Sequence, residues 1–243
     1  MIKIDDININ YLRYGQENKD TVVLLHGWGQ NIEMMKPLGD PLSNNFNILI
    51  IDLPGFGLSE EPKEVWTVYD YVTCIHKLLT ALKIENPIMI GHSFGGKLSL
   101  LYSSIYKTKK LVLLASPFKK EIKKLSFKTR TLKKLKKVPG LNKLEGFAKK
   151  HIGSTDYKNA SDKMRKIMVE HVNTDITEEV KKIKCPTLII WGTSDEAVDV
   201  NDAYILEKLI DDAGVVIYEG CTHYAYLERL GQTISVLTTF LNN

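Results

Sequence analysis

From Thr21 onward the chain alternates two kinds of segment: short unbroken apolar runs rich in β-branched residues, and longer stretches whose apolar residues return at helical spacing. Six runs are of the first kind: "TVVLLHG" from Thr21, "FNILIIDLPG" from Phe46, "PIMIGHS" from Pro87, "KLVLLASP" from Lys110, "PTLIIWG" from Pro186 and "GVVIYEG" from Gly214. A strand that is apolar at every position is buried on both faces, the condition of a central strand in a parallel sheet. Two further strands, "IKID" and "INYLRYG", open the chain and are expected to form an antiparallel pair. Amphipathic stretches at about 67–83, 95–107, 199–211 and 225–241 join these strands or close the chain, as right-handed crossovers require. The expected fold is α/β, with an eight-stranded, mostly parallel sheet and helices on both faces.

One interval breaks the rhythm. Between Phe118 and Lys184 no strand pattern occurs, while Lys and Leu recur at helical spacing and Pro139-Gly140 and Gly153-Ser154 punctuate the run. Residues 118–184 therefore read as an inserted bundle of short helices between the sixth and seventh strands, and residues 1–117 and 185–243 as a single core. A chain of 243 residues is within the size that one hydrophobic core can serve, and 44% apolar residues suffice to build it. Charge separates the two parts more sharply than length does. The insertion holds 20 Lys or Arg against 8 Asp or Glu, a net of +12, whereas the rest holds 13 against 21, a net of −8.

The start, "MIKIDDININ", has no basic segment followed by an apolar run, and no stretch approaches the ~18 consecutive apolar residues of a membrane span. A cytoplasmic protein is expected. Cys74, Cys185 and Cys221 are odd in number and far apart, so neither a disulfide framework nor a metal site is suggested.

The chemistry concentrates at strand ends. Gly91-His92-Ser93-Phe94-Gly95 follows a predicted strand and opens a predicted helix, the context in which Gly-x-Ser-x-Gly makes a sharp turn that lifts the serine hydroxyl into the open. The helix N-terminus behind it favours negative charge above Ser93. A serine needs a base, and His223, in "YEGCTHYAYLE" after the last strand, lies at the carboxyl edge where open α/β sheets build their sites. Asp195 in "WGTSDEAV" lies at the same edge and would orient that imidazole; Glu196 and Asp199 are its neighbouring rivals. The backbone amides of Trp28, in "LLHGWGQN", and of Phe94 are the expected oxyanion donors. His26, His92 and Asp52 fall within turns and are expected to pack or hydrogen-bond there; His76, His151 and His171 lie away from the catalytic edge or in the insertion.

Five motifs in this order, "HGWG", "DLPGFGLS", "GHSFGG", "WGTSD" and "GCTHYAYLE", resemble the α/β-hydrolase fold across nearly the whole chain. The resemblance implies a nucleophile at Ser93, an acid at Asp195, a base at His223, oxyanion donors at Trp28 and Phe94, and a lid over 118–184. A serine where dehalogenases and epoxide hydrolases carry aspartate turns the likeness toward small carboxylesterases of the pimeloyl-carrier-protein methyl ester type. The implied activity is hydrolysis of carboxylic esters through an acyl-enzyme, without metal or organic cofactor. A triad-dependent lyase of the menaquinone pathway type, a perhydrolase and, last, a non-catalytic binding module are the alternatives.

The expected partner is a small ester substrate, and a lid of +12 would also attract an acidic acyl carrier protein. No nucleic-acid motif accompanies the lysines, and no integral membrane contact is expected.

Overall fold

A computed structural model describes residues 1–120 and 160–242. The strands are β1 (Ile2–Ile4), β2 (Ile7–Ile9), β3 (Tyr11–Tyr14), β4 (Thr21–Leu25), β5 (Asn47–Ile51), β6 (Ile88–His92), β7 (Lys110–Leu114), β8 (Thr187–Gly192) and β9 (Ala213–Tyr218). Seven form one sheet in the order β3-β5-β4-β6-β7-β8-β9, parallel except for β3, which runs antiparallel to β5.

The six apolar runs thus occupy the six parallel strands, but the expected eighth strand does not join the sheet. The amino-terminal hairpin forms otherwise: β1 pairs β2 with Lys3 opposite Asn8, in a separate two-stranded sheet, while β3 crosses to β5. The break falls at Asn10. Its N–H donates to Ser59 Oγ (2.8 Å), its Nδ2 to Asp52 Oδ2 (2.8 Å), and its carbonyl accepts from Asp52 N (3.0 Å), so its polar groups go to the loop after β5 rather than to a continuous strand.

Side-chain alternation across the parallel strands divides the core in two. Val23, Leu25, Leu49, Ile51, Met89, Leu111, Leu113, Ile189 and Trp191 face one way, against α2 (Val68–Ala81), α3 (Phe94–Ile105) and α6 (Asn201–Leu209). Val22, Leu24, Ile48, Ile50, Ile88, Ile90, Val112, Leu114, Leu188 and Ile190 face α1 (Lys36–Leu42) and the C-terminal α8 (Leu230–Asn242), with the short α7 (Ala225–Glu228) beside them. Two covered faces explain why these strands read as unbroken apolar runs.

Because β4 stands between β5 and β6, the connections leaving it and returning past it cover opposite faces: α1 lies on one and α2 on the other. The strand order therefore reverses at β4, which opens a crevice above its carboxyl end and that of β6. Gly91 of β6 pairs Leu25 of β4 there, bringing the turns after the two strands side by side.

Residues 121–159, most of the basic insertion, lie outside the described residues. Its return leg is described: α4 (Asp162–Asn173) and α5 (Thr177–Val180). Ile176 N donates to Phe118 O (2.9 Å) and Lys120 N to Asp175 Oδ2 (3.2 Å), so the chain leaves and re-enters the core at one neck.

Candidate active site

Ser93 follows β6 directly and caps α3 with φ +52° and ψ −112°, a backbone conformation that L residues seldom adopt. The flanking glycines permit it. A Cβ at Gly91 would stand 2.4 Å from Gly95 O, and one at Gly95 only 2.3 Å from Leu25 O and 2.6 Å from His26 O. Helix α3 thus approaches strand β6 on one side and the end of β4 on the other so closely that only glycine fits on either side of the serine, and Ser93 N–H is tied to Leu114 O at 2.9 Å. Holding a non-glycine residue in such a conformation costs on the order of 1–3 kcal/mol, sustained by the surrounding packing.

His223 and Asp195 meet. The carboxylate Oδ2 accepts from His223 Nδ1 at 2.8 Å; the Asp195 side chain is fully buried and that of His223 is 15% exposed. Asp195 is itself held, with Oδ1 accepting from the Ala197 and Val198 amides (2.8 and 3.0 Å), while Trp191 Nε1 donates to Val198 O (3.2 Å). The loops after β8 and β9 are laced together by Thr193 N to Tyr218 O (3.1 Å) and Ser194 N to Cys221 O (2.9 Å). A Cβ at Gly192 would meet Cys221 O at 2.2 Å, so this lacing needs glycine as well. Glu228 of α7 takes both the Thr222 N–H (3.0 Å) and the Thr222 hydroxyl, anchoring the residue before His223. The rival Asp199 is occupied elsewhere, its Oδ1 accepting from Asn201 N (3.0 Å) and Nδ2 (2.8 Å).

His223 stands beside the serine turn through His92, the residue before Ser93. His92 Nε2–H donates to His223 O (3.0 Å), and the two rings are 4.8 Å apart. Burial drives the His92 pKa down to about 3, so it is neutral. His26 is likewise enclosed: Leu53 N–H donates to its Nε2 (3.0 Å), which leaves Nδ1–H to donate to Gly27 O (2.7 Å). Burial lowers its pKa to about 4. Both histidines thus serve as neutral braces for the turns in which the sequence places them. Asp52 does the same for the loop after β5, accepting from Ile32 N (2.8 Å), Leu58 N (2.9 Å) and Asn10 Nδ2 (2.8 Å).

The turn after β4 approaches the serine turn. Gln30 Oε1 accepts from Gly27 N (3.0 Å), Gln30 Nε2 donates to Tyr224 Oη (3.2 Å), and the Trp28 and Phe94 rings meet edge to face at 5.3 Å. Phe94, as the first residue of α3, has no intrahelical acceptor for its amide. The Trp28 amide has no acceptor among the described residues.

Two residues at this edge escape a reading of the sequence. His171, on α4, lies edge to face against Phe94 (4.4 Å between centroids) and parallel to Trp28 (6.2 Å). Lys97, one turn into α3 after Ser93, is 1% exposed, and its ammonium donates to His171 O (2.8 Å) and Thr174 O (2.5 Å) at the C-terminal end of α4. Carbonyls at a helix C-terminus are the groups a buried cation needs. The signals were faint: Lys97 is the only charge in "FGGKLSLLYSSI", and His171 continues the buried stripe of Met164 and Ile167.

Sheet order, reversal point and serine turn together are those of the α/β-hydrolase fold. The α/β-hydrolase-fold family model matches residues 20–134. Mouse monoacylglycerol lipase ABHD6 is 27% identical over 256 residues, covering 92% of this chain and 76% of its own. Among solved structures, a bacterial membrane phospholipase A superposes with a TM-score of 0.80 at 24% identity, over 99% of this chain and 84% of its own. The enol-lactonase of Burkholderia xenovorans LB400 gives 0.77 at 22% identity, over 99% and 98%. No helix among the described residues is long and apolar enough to cross a membrane.

Proposed function

We propose that the protein is a serine hydrolase of carboxylic esters, with Ser93 as nucleophile, His223 as base, Asp195 as the acid that orients it, and the Trp28 and Phe94 amides as oxyanion donors. The observation that carries this reading is the left-handed backbone of Ser93 at the junction of β6 and α3, beside a hydrogen-bonded imidazole–carboxylate pair. Accepting from Nδ1–H, Asp195 fixes the tautomer whose Nε2 lone pair is free to take a proton.

Ser93 Oγ attacks the ester carbonyl as His223 Nε2 removes its proton; the oxyanion is received by the two amides and the positive end of α3. The imidazolium then protonates the leaving alcohol. Water, deprotonated by His223, attacks the acyl-enzyme and releases the acid. The names of the relatives, a monoacylglycerol lipase, a phospholipase A and an enol-lactonase, all denote hydrolases of acyl esters and support the substrate class.

We assign residues 118–184 to a lid on a core of 1–117 and 185–243. In support, α4 returns across the edge that carries Ser93: its Met164 fills the space that a Cβ at Gly55 would need (2.5 Å), and its His171 covers Phe94. An acidic acyl carrier protein is the docking partner that the net charge of +12 on this segment suits. Ser93→Ala is expected to abolish hydrolysis of p-nitrophenyl butyrate and labelling by a fluorophosphonate while leaving the circular dichroism spectrum unchanged; retained activity overturns the assignment.

A further inference from the structure

Helix α4 brings one polar atom to the candidate site for which acyl transfer has no use. His171 is 7% exposed, and its Nδ1 is buried without a hydrogen-bond partner among the described residues. Native interiors rarely leave such an atom unsatisfied. Packing does not explain the choice of residue, since a phenylalanine would fill the same place against Phe94 and Trp28 with no nitrogen to satisfy.

The position is deliberately held. Lys97, on the helix that Ser93 begins, grips the His171 carbonyl at 2.8 Å, so the imidazole keeps a fixed relation to the nucleophile turn. Burial, with the Lys97 ammonium adding to it, lowers the His171 pKa well below that of a free histidine, so the ring is neutral. A neutral imidazole offers one N–H and one lone pair. It suits an uncharged oxygen better than a carboxylate or phosphate.

We infer that His171 is a specificity-determining residue whose imidazole hydrogen-bonds a hydroxyl or carbonyl oxygen carried by the substrate within a few bonds of the scissile ester. The inference rests on the reading of Ser93 as nucleophile. It makes the protein selective for oxygen-bearing esters over plain alkyl esters, because a site built around a buried polar group rejects a ligand that leaves that group unpaired.

Two matched pairs of neutral esters test it: glycerol monobutyrate against propyl butyrate, with the extra oxygens on the alcohol side, and methyl 3-hydroxybutyrate against methyl butyrate, with the oxygen on the acyl side. The wild type is expected to favour the oxygenated member of at least one pair in kcat/KM by roughly 10- to 100-fold. His171→Phe should bring that ratio close to one, and His171→Asn, whose amide keeps a polar atom near the place of Nδ1, should retain most of it. Absence of preference in both pairs, or a preference that survives in His171→Phe, overturns the inference. A measurement independent of how these variants fold uses Ser93→Ala: the ¹⁵N resonances of the His171 ring should shift with the preferred ester and not with its plain counterpart, and equal response to both overturns the inference. Failure of the wild type to be labelled at Ser93 by a fluorophosphonate would instead bring down the underlying assignment of the nucleophile.

Discussion

The acid of the pair carries a prediction of its own, because Asp195 uses its two oxygens differently. Oδ1 holds the loop through two backbone amides, and Oδ2 holds His223 Nδ1 at 2.8 Å. Asn at this position keeps the shape and one acceptor but disturbs the pairing that sets the imidazole tautomer, so Asp195→Asn should lower kcat on p-nitrophenyl butyrate by about 10⁴-fold with little change in melting temperature. Acid should act on other residues. His26 and His92 have folded pKa values of about 4 and about 3, whereas in the unfolded chain a histidine titrates near 6.5. The unfolded state therefore binds protons first as pH falls, and the stability these rings contribute is complete above about pH 6.5 and lost progressively below it. The urea midpoint should already decline between about pH 6.5 and about pH 5, above the range where carboxylates titrate; a flat profile there contradicts the buried neutral roles. The places of Ser93, Asp195 and His223 were legible because each lies in the connection that follows a strand, after β6, β8 and β9. His171 was not: its contact with Lys97 joins residues 74 apart, and nothing local marks it.

Among elements, the joint between α3 and α4 is the least conventional. A fully buried lysine is costly unless its charge is met, and here it is met by the carbonyls of His171 and Thr174. Lys97→Met keeps the apolar stem and removes the ammonium, leaving those carbonyls without their donor. The expected result is local: faster amide hydrogen exchange through Asp162–Asn173, with protection in β4 and β6 unchanged. Equal exchange in α4 would mean that Met164 and Ile167 alone hold the helix. The element boundaries that patterning missed have a related cause. "INYLRYG" alternates well enough for one strand, yet Asn10 gives its amide, side chain and carbonyl to Ser59 and Asp52, and the chain divides there between two sheets. The choice was made by a loop some 40–50 residues away, as the separations of 49 and 42 record, which no local window contains.

For the whole molecule, the fold class was readable because six buried parallel strands leave a signal stronger than any single motif, while the layout of the insertion was not, since helical spacing alone does not say what such a segment packs against. The parallel sheet has a further consequence. Every turn proposed to act follows the carboxyl end of a strand, so the opposite edge, including the turn at 83–87 before β6, carries none of the residues proposed to act. All three native cysteines are buried, and Glu85 on that opposite turn is exposed. Glu85→Cys should therefore supply the one readily reactive thiol among the described residues. Coupled through it to a maleimide-coated bead, the protein should keep most of its turnover on p-nitrophenyl butyrate; severe loss would mean that the far edge is not independent of the site. The sheet thus gives the molecule a natural handle, a side by which it can be fixed to a surface with its working edge facing the solvent.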